Sequence, residues 1–170
     1  MNKEQISRAL IMINEQLRYM GVRAEVGIYG GAVMCMALNA REGTRDIDAV
    51  FVPKDEMRIA IRNVGRQLGL QDGWFNDAVK GFVSANNDMI LFDRLSNLDI
   101  YVARSEYLFA MKAVLCRMDN EYELNDIKFL IKHIGITSVD QALAIISNYF
   151  PASRIKPKTQ YMLMEIFGGM

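Results

Sequence analysis

Residues 22–52 read VRAEVGIYGGAVMCMALNAREGTRDIDAVFV, and the reading of this stretch decides the fold class. Val22 to Tyr29 has the apolar and β-rich character of a strand. Gly30 and Gly31 follow at once and lead into Ala32 to Asn39, which is Ala- and Met-rich and favours helix, so the two glycines occupy a strand-to-helix turn. Thr44 to Val52 is again β-branched and apolar and stops at Pro53, which predicts a second strand. Upstream, Ile6, Leu10, Ile13, Leu17 and Met20 alternate spacings of four and three, the stripe of an amphipathic helix that Gly21 ends. Downstream, residues 55–70 return to helical periodicity and run into the segment Gly69 to Gly73. Strand, helix, strand, helix predicts an α/β (α+β) core.

Further along, strands are expected at Met89 to Phe92 and Leu98 to Val102, paired as an antiparallel hairpin about Ser96-Asn97. After Ser105 the chain reads as four helices, near 106–118, 122–134, 139–149 and 158–167, with Ser138 and Gln141 forming a capping box for the third. The expected organisation is therefore a mixed part over residues 1–103 and an all-helical part over 104–170.

Composition narrows the function classes. The 170 residues are 51% hydrophobic and 24% charged, enough apolar material for one packed core. Lys plus Arg and Asp plus Glu are 20 each, so nucleic-acid affinity has to come from a local patch, and a generally basic coat is excluded. The longest apolar run, Ala32 to Leu38, is far below the roughly 20 residues of a membrane span. No secretory signal pattern opens the chain. The sequence thus reads as a soluble cytoplasmic protein with no membrane partner. Cys35 and Cys116 lie in apolar stretches without CxxC spacing, which predicts reduced core thiols and argues against a zinc site or disulfides.

The chemistry is concentrated in Asp46 and Asp48. Two carboxylates two positions apart on a strand share one face and repel each other, so something compensates them. A divalent metal bound through oxygen does this; solvent, or Arg41 and Arg45, would also serve. Gly30-Gly31 exposes backbone N–H groups suited to phosphate, although tight strand-to-helix packing explains a double glycine equally well. The order strand, Gly-Gly, helix, Asp-x-Asp points to metal-assisted nucleotide chemistry.

Gly30-Gly31 followed by Asp46-Ile47-Asp48 resembles the signature of the DNA polymerase β-type nucleotidyltransferase superfamily. Trp74-Phe75-Asn76-Asp77, Ala110-Met111-Lys112 with Arg117, and Asn125-Asp126-Ile127 narrow the resemblance to small bacterial nucleotidyltransferase-like proteins related to abortive-infection toxins. The resemblance implies a nucleotidyltransferase-like mixed sheet with flanking helices and a C-terminal helical bundle. It also implies a third carboxylate on a later strand, for which Asp99 is preferred to Asp93 because Asp99 stands on the strand just before the helices. Asp46, Asp48 and Asp99 would then hold two Mg²⁺ ions, Gly30 and Gly31 would cradle the phosphates, and Lys112 would contact the triphosphate. The implied reaction moves a nucleotide from a nucleoside triphosphate to a hydroxyl on RNA, a tRNA end or a protein. A toxin role with an antitoxin partner extends it.

Several residues carry a second reading. Lys112, the only charge between Tyr107 and Cys116, needs an anion, which a core carboxylate such as Asp126 could also provide. Arg117 and Asp126 are expected to form a helix-to-helix ion pair. Lys54, Arg58, Arg62 and Arg66 recur every four residues and form one basic stripe, a solvated face or a phosphate track. Trp74 and Phe75 are expected to pack, with base stacking as the alternative. His133 is expected to partner a helix C-terminus. The competing function is a catalytically inactive nucleotidyltransferase-like module that binds a nucleotide or a protein, which gains from the small size and from Gly-Gly where the family has Gly-Ser. The two differ in a structural requirement: catalysis by the proposed triad needs Asp46, Asp48 and Asp99 to converge.

Overall fold

The computed structural model describes residues 1–169. It begins with α1 (Lys3–Met20), capped reciprocally: Gln5 N–H donates to the Asn2 side chain at 2.9 Å, and Asn2 N–H donates to Gln5 Oε1 at 2.8 Å. Gly21, at φ 66°, ends the helix in the left-handed conformation. The chain continues through β1 (Ala24–Tyr29), α2 (Gly30–Met36), β2 (Ile47–Val52), α3 (Lys54–Leu68), β3 (Phe75–Asn76), β4 (Met89–Arg94) and β5 (Leu98–Ala103). Four helices follow: α4 (Ser105–Leu115), α5 (Glu121–Ile134), α6 (Val139–Ser147) and α7 (Pro157–Gly168).

The five strands form one mixed sheet in the order β3-β2-β1-β5-β4. β1 runs parallel to β5 and antiparallel to β2, β3 runs parallel to β2, and β4 runs antiparallel to β5 with a bulge between Leu91 and Asp93. Side-chain alternation sends Ala24, Val26 and Ile28, Ile47, Ala49 and Phe51, and Leu98, Ile100 and Val102 to one fully buried face. Helices α1, α2 and α3 pack in this first unit, α1 against α3 and α2 against β1 and β2. The expected α+β class, mixed sheet and helical C-terminal region are all present.

Four local expectations are corrected. α2 starts at Gly30, so the two glycines form its first turn instead of preceding it. β2 starts at Ile47, which leaves Asp46 just ahead of the strand. Phe75–Asn76 adds a two-residue edge strand that carries no periodic signal. The capping box at Ser138 is only half formed: its hydroxyl accepts from Gln141 N–H at 3.1 Å, while Gln141 Oε1 accepts from Thr137 N–H at 2.8 Å.

The chain divides into two compact units, and the boundary is not a single cut at residue 103. The first comprises Met1–Gly81 and Met89–Ala103; the second takes Phe82–Asp88 together with the chain from Arg104 onward. The reason lies in the polar anchoring of that short segment. Ser84 N–H donates to Tyr107 Oη at 2.9 Å, Ser84 Oγ donates to the Tyr149 carbonyl, and Asn86 Nδ2 donates to the Asn148 carbonyl at 3.1 Å. Asp88 accepts from Arg104 at 3.0 Å and from Tyr149 Oη at 2.8 Å. The second unit's core is built from Tyr107, Leu108 and Phe109 of α4, Ile127, Leu130 and Ile131 of α5, and Leu163 of α7. No single helix among the described residues is long and apolar enough to cross a membrane.

Candidate functional site

The polar rim of the first unit lies where β1 ends and β2 begins. Gly30 has φ 65°, a left-handed conformation that a side chain disfavours. A Cβ placed on it would lie 2.8 Å from Asp48 Oδ2, so the backbone passes directly against this carboxylate because residue 30 has no side chain. Gly31 is constrained by a different wall: a Cβ there would sit 2.6 Å from Arg41 Nη1 and 2.8 Å from Thr44 Oγ1. The two glycines therefore serve two close approaches, one to a carboxylate and one to a guanidinium. α2 has only seven residues, and its N-cap Tyr29 makes no side-chain cap bond, so close backbone approach, not a long helix dipole, is what the turn offers.

Asp48 is registered beside Tyr29 on β1 and beside Asn76 on β3. Asn76 Nδ2 in turn donates to Asp46 Oδ2 at 3.4 Å and to the Gly73 carbonyl at 3.1 Å. Asn76 thus reaches Asp46 from the strand position next to Asp48, although Asp46 itself stands ahead of β2 and not on the strand as the spacing predicts. Thr44 Oγ1 donates to the Asp46 carbonyl at 3.1 Å and fixes the approach to β2.

Asp99 does not join them. On β5 it is registered beside Glu25, whereas Asp48 is registered beside Tyr29, four positions further along β1. At ~3.3 Å per residue this separates the two rows by roughly 13 Å along the sheet. Asp99 is 6% exposed and already satisfied, accepting from Arg23 Nη2 at 2.5 Å and from Arg94 Nε at 3.1 Å. The preference for Asp99 as third metal ligand is therefore corrected: it anchors two arginines at the opposite end of the strands. Asp93 is no substitute, since it is registered beside Ile100, one position closer along β5, and its Oδ1 accepts from Arg94 N–H at 2.8 Å. Among the described residues no group of three His, Cys, Asp or Glu side chains could hold a metal ion.

Two carboxylates still suit Mg²⁺, which commonly binds through one or two carboxylates and takes its remaining oxygens from substrate phosphates and water. The rim's donor set fits one such ion shared with a substrate. The two-ion arrangement bridged by a third carboxylate does not fit.

In the second unit, Lys112 Nζ donates to Asp126 Oδ2 at 2.7 Å, with side chains 13% and 4% exposed. Of the two anions considered for Lys112, the core carboxylate is the one seated on it. Arg117 pairs with Glu123 instead of Asp126, at 3.3 Å, and its backbone N–H donates to the same carboxylate at 2.8 Å. His133 lies in the last turn of α5, as expected, and stacks on Phe129 with centroids 5.6 Å apart. Trp74 and Phe75 are buried and meet edge to face at 5.4 Å, which leaves no ring face open to a base. Both cysteines are free and buried, and burial pushes the Cys116 thiol up to about 11.

No family model, curated protein or solved structure matches the chain.

Proposed function

We propose that the chain is a nucleotidyltransferase-like module that binds a magnesium nucleoside triphosphate at the rim of Gly30, Gly31, Asp46 and Asp48. The observation that carries this reading is the packing of the Gly30 backbone on the Asp48 carboxylate, at a distance that a Cβ would close to 2.8 Å. That contact sets the backbone of the turn beside a carboxylate, which supports a site for a triphosphate with its counter-ion.

Each residue then has a task. Asp46 and Asp48 hold the cation, and Asn76 steadies Asp46 through its amide. The turn at Gly30-Gly31 lets phosphate oxygens approach the backbone, beside the Arg41 guanidinium that the missing Gly31 side chain admits. A bound Mg²⁺ would neutralise charge on the phosphate oxygens. Asp99 takes no part, and Lys112 belongs to its ion pair with Asp126 in the second unit.

Transfer of the nucleotide to a hydroxyl acceptor is the second reading; the Asp-x-Asp pair beside Gly30-Gly31 favours it, but the rim has two carboxylates where the resemblance implies three, because Asp99 stands elsewhere. One experiment separates the two. The protein is incubated with each nucleoside triphosphate labelled at the α-phosphorus, Mg²⁺ and a cell extract, beside Asp46→Ala and Asp48→Ala. Label entering RNA or protein with the wild type alone supports transfer and identifies the acceptor class. Mg²⁺-dependent nucleotide binding that both variants lose, without transfer, supports the binding module. Binding unchanged in both variants overturns the site.

A further inference from the structure

A cleft of about 550 Å³ opens within the first unit between α3 and residues 70–77. Its α3 wall carries Arg58, Arg62 and Arg66, and its floor includes Trp74 and Phe75. The floor is rigidly set: Gly65 packs on the Trp74 indole so closely that a Cβ would lie 2.5 Å from Nε1. Arg58 pairs with Asp77 at 3.5 Å, a carboxylate that Lys80 also holds at 3.2 Å. Arg62 and Arg66 are exposed and have no ion-pair partner among the described residues. Asp72 and Asp77 also line the cleft, Asp77 in its pairs with Arg58 and Lys80.

We propose that this cleft binds the phosphodiester backbone of a single-stranded polynucleotide. Residues four apart on a helix advance ~6 Å along its axis. Arg62 and Arg66, in line with Arg58 in its pair with Asp77, form a row along α3 with a step comparable to that between consecutive phosphates of an extended strand. A single triphosphate, whose phosphorus atoms are much closer together, would engage only part of the row. The buried faces of Trp74 and Phe75 offer no stacking platform, so the strand is held by its backbone and its bases face solvent. Recognition is accordingly independent of base sequence and strongly salt-dependent.

The cleft and the rim share Asn76, which lines the one and donates to Asp46 of the other. A strand lying along α3 would bring its terminus to the carboxylates. That functional consequence rests on the reading proposed above; the binding itself does not.

The test is fluorescence anisotropy of the full chain with labelled RNA and DNA strands of about 12 nucleotides, from about 50 to about 200 mM salt. Binding of either strand by the wild type is expected. The Arg62→Ala/Arg66→Ala double variant should bind at least tenfold more weakly at the low-salt end. Its salt slope should be shallower by about 1.4, two phosphate contacts at about 0.7 each. Its unfolding curve should match the wild type, since both side chains are exposed, and Asp48→Ala should keep strand binding. The proposal is overturned if the wild type binds neither strand, if the double variant binds as well as the wild type, or if polyglutamate competes as effectively as RNA. Loss of nucleotide binding in Asp48→Ala with strand binding retained tests the rim separately, so failure of one site is distinguishable from failure of the other.

Discussion

Asp126→Ala should unfold the second unit far more readily than a surface charge deletion would. Lys112 Nζ and Asp126 Oδ2 lie 2.7 Å apart with 13% and 4% of their side chains exposed, so the carboxylate replaces water at the ammonium. Removing Asp126 leaves Lys112 buried and charged, a loss of about 3–5 kcal/mol, whereas exposed ion pairs are worth about 0–1 kcal/mol. Lys112→Met should also lower stability by removing the ammonium that Asp126 accepts from at 2.7 Å. The double variant Lys112→Met/Asp126→Leu, which replaces both charges by apolar groups of similar length, should recover most of the loss. Urea unfolding can be followed by far-UV circular dichroism and by the fluorescence of Trp74, the only tryptophan, which reports on the first unit. The loss should appear in the dichroism transition. Two single variants each within about 1 kcal/mol of the wild type would refute the assignment of this pair as a desolvated structural bridge. A Lys112→Met protein that stays stable but loses nucleotide binding would return the lysine to the role the sequence resemblance implies.

Other outcomes follow from the same geometry. Gly30→Ala forces an alanine into a left-handed conformation and a Cβ against Asp48, so about 1–2 kcal/mol of stability and at least tenfold in magnesium-nucleotide affinity should be lost in titration calorimetry; retained affinity would remove the turn from the site. Asp99→Asn weakens the anchoring of Arg23 and Arg94 and should lower the melting temperature while leaving nucleotide affinity unchanged. Tyr149→Phe loses a hydrogen bond to Asp88, about 1.5–3 kcal/mol at neutral pH. Burial, and then the bond to Asp88, raise the Tyr149 hydroxyl above its ordinary value. Because the folded value exceeds the unfolded one, its contribution is full below about pH 10 and is lost as pH rises further, a loss absent from the phenylalanine variant in unfolding curves measured across that range. With its thiol pushed up to about 11, Cys116 should be about one part in a thousand thiolate at pH 8 and react with a disulfide reagent far more slowly than free cysteine.

The helices were legible because each buries one stripe: Ile6, Leu10, Ile13 and Leu17 mark α1 in the sequence and are buried in the fold. Asp48 on β2 was legible for a similarly local reason, the β-branched and apolar run up to Pro53, whereas the strand begins one residue after Asp46. Asp99 was misplaced because alternation specifies the face a side chain takes but not the end of the sheet at which it stands. That depends on register, here Glu25 beside Asp99, which no local pattern encodes. Asn76 was quoted only within a resembling segment, since a two-residue strand has too few positions to show a period. Its role beside Asp46 emerges only once β3 is seen beside β2. Arg41 was visible as a charge near the aspartates, but its fit against Gly31 depends on the path of the intervening chain.

The passage of Phe82–Asp88 into the second unit has a consequence for modularity. The chain crosses between units after Gly81, returns after Asp88 and crosses again after Ala103. A protein ended at residue 103 would keep this segment but strip it of Tyr107, Asn148, Tyr149 and Arg104, the groups that satisfy its backbone and side chains. A fragment starting at 104 would lack the counterparts of those same groups. Neither half is a transferable cassette, and recombination between relatives at that point would interrupt a unit instead of exchanging one.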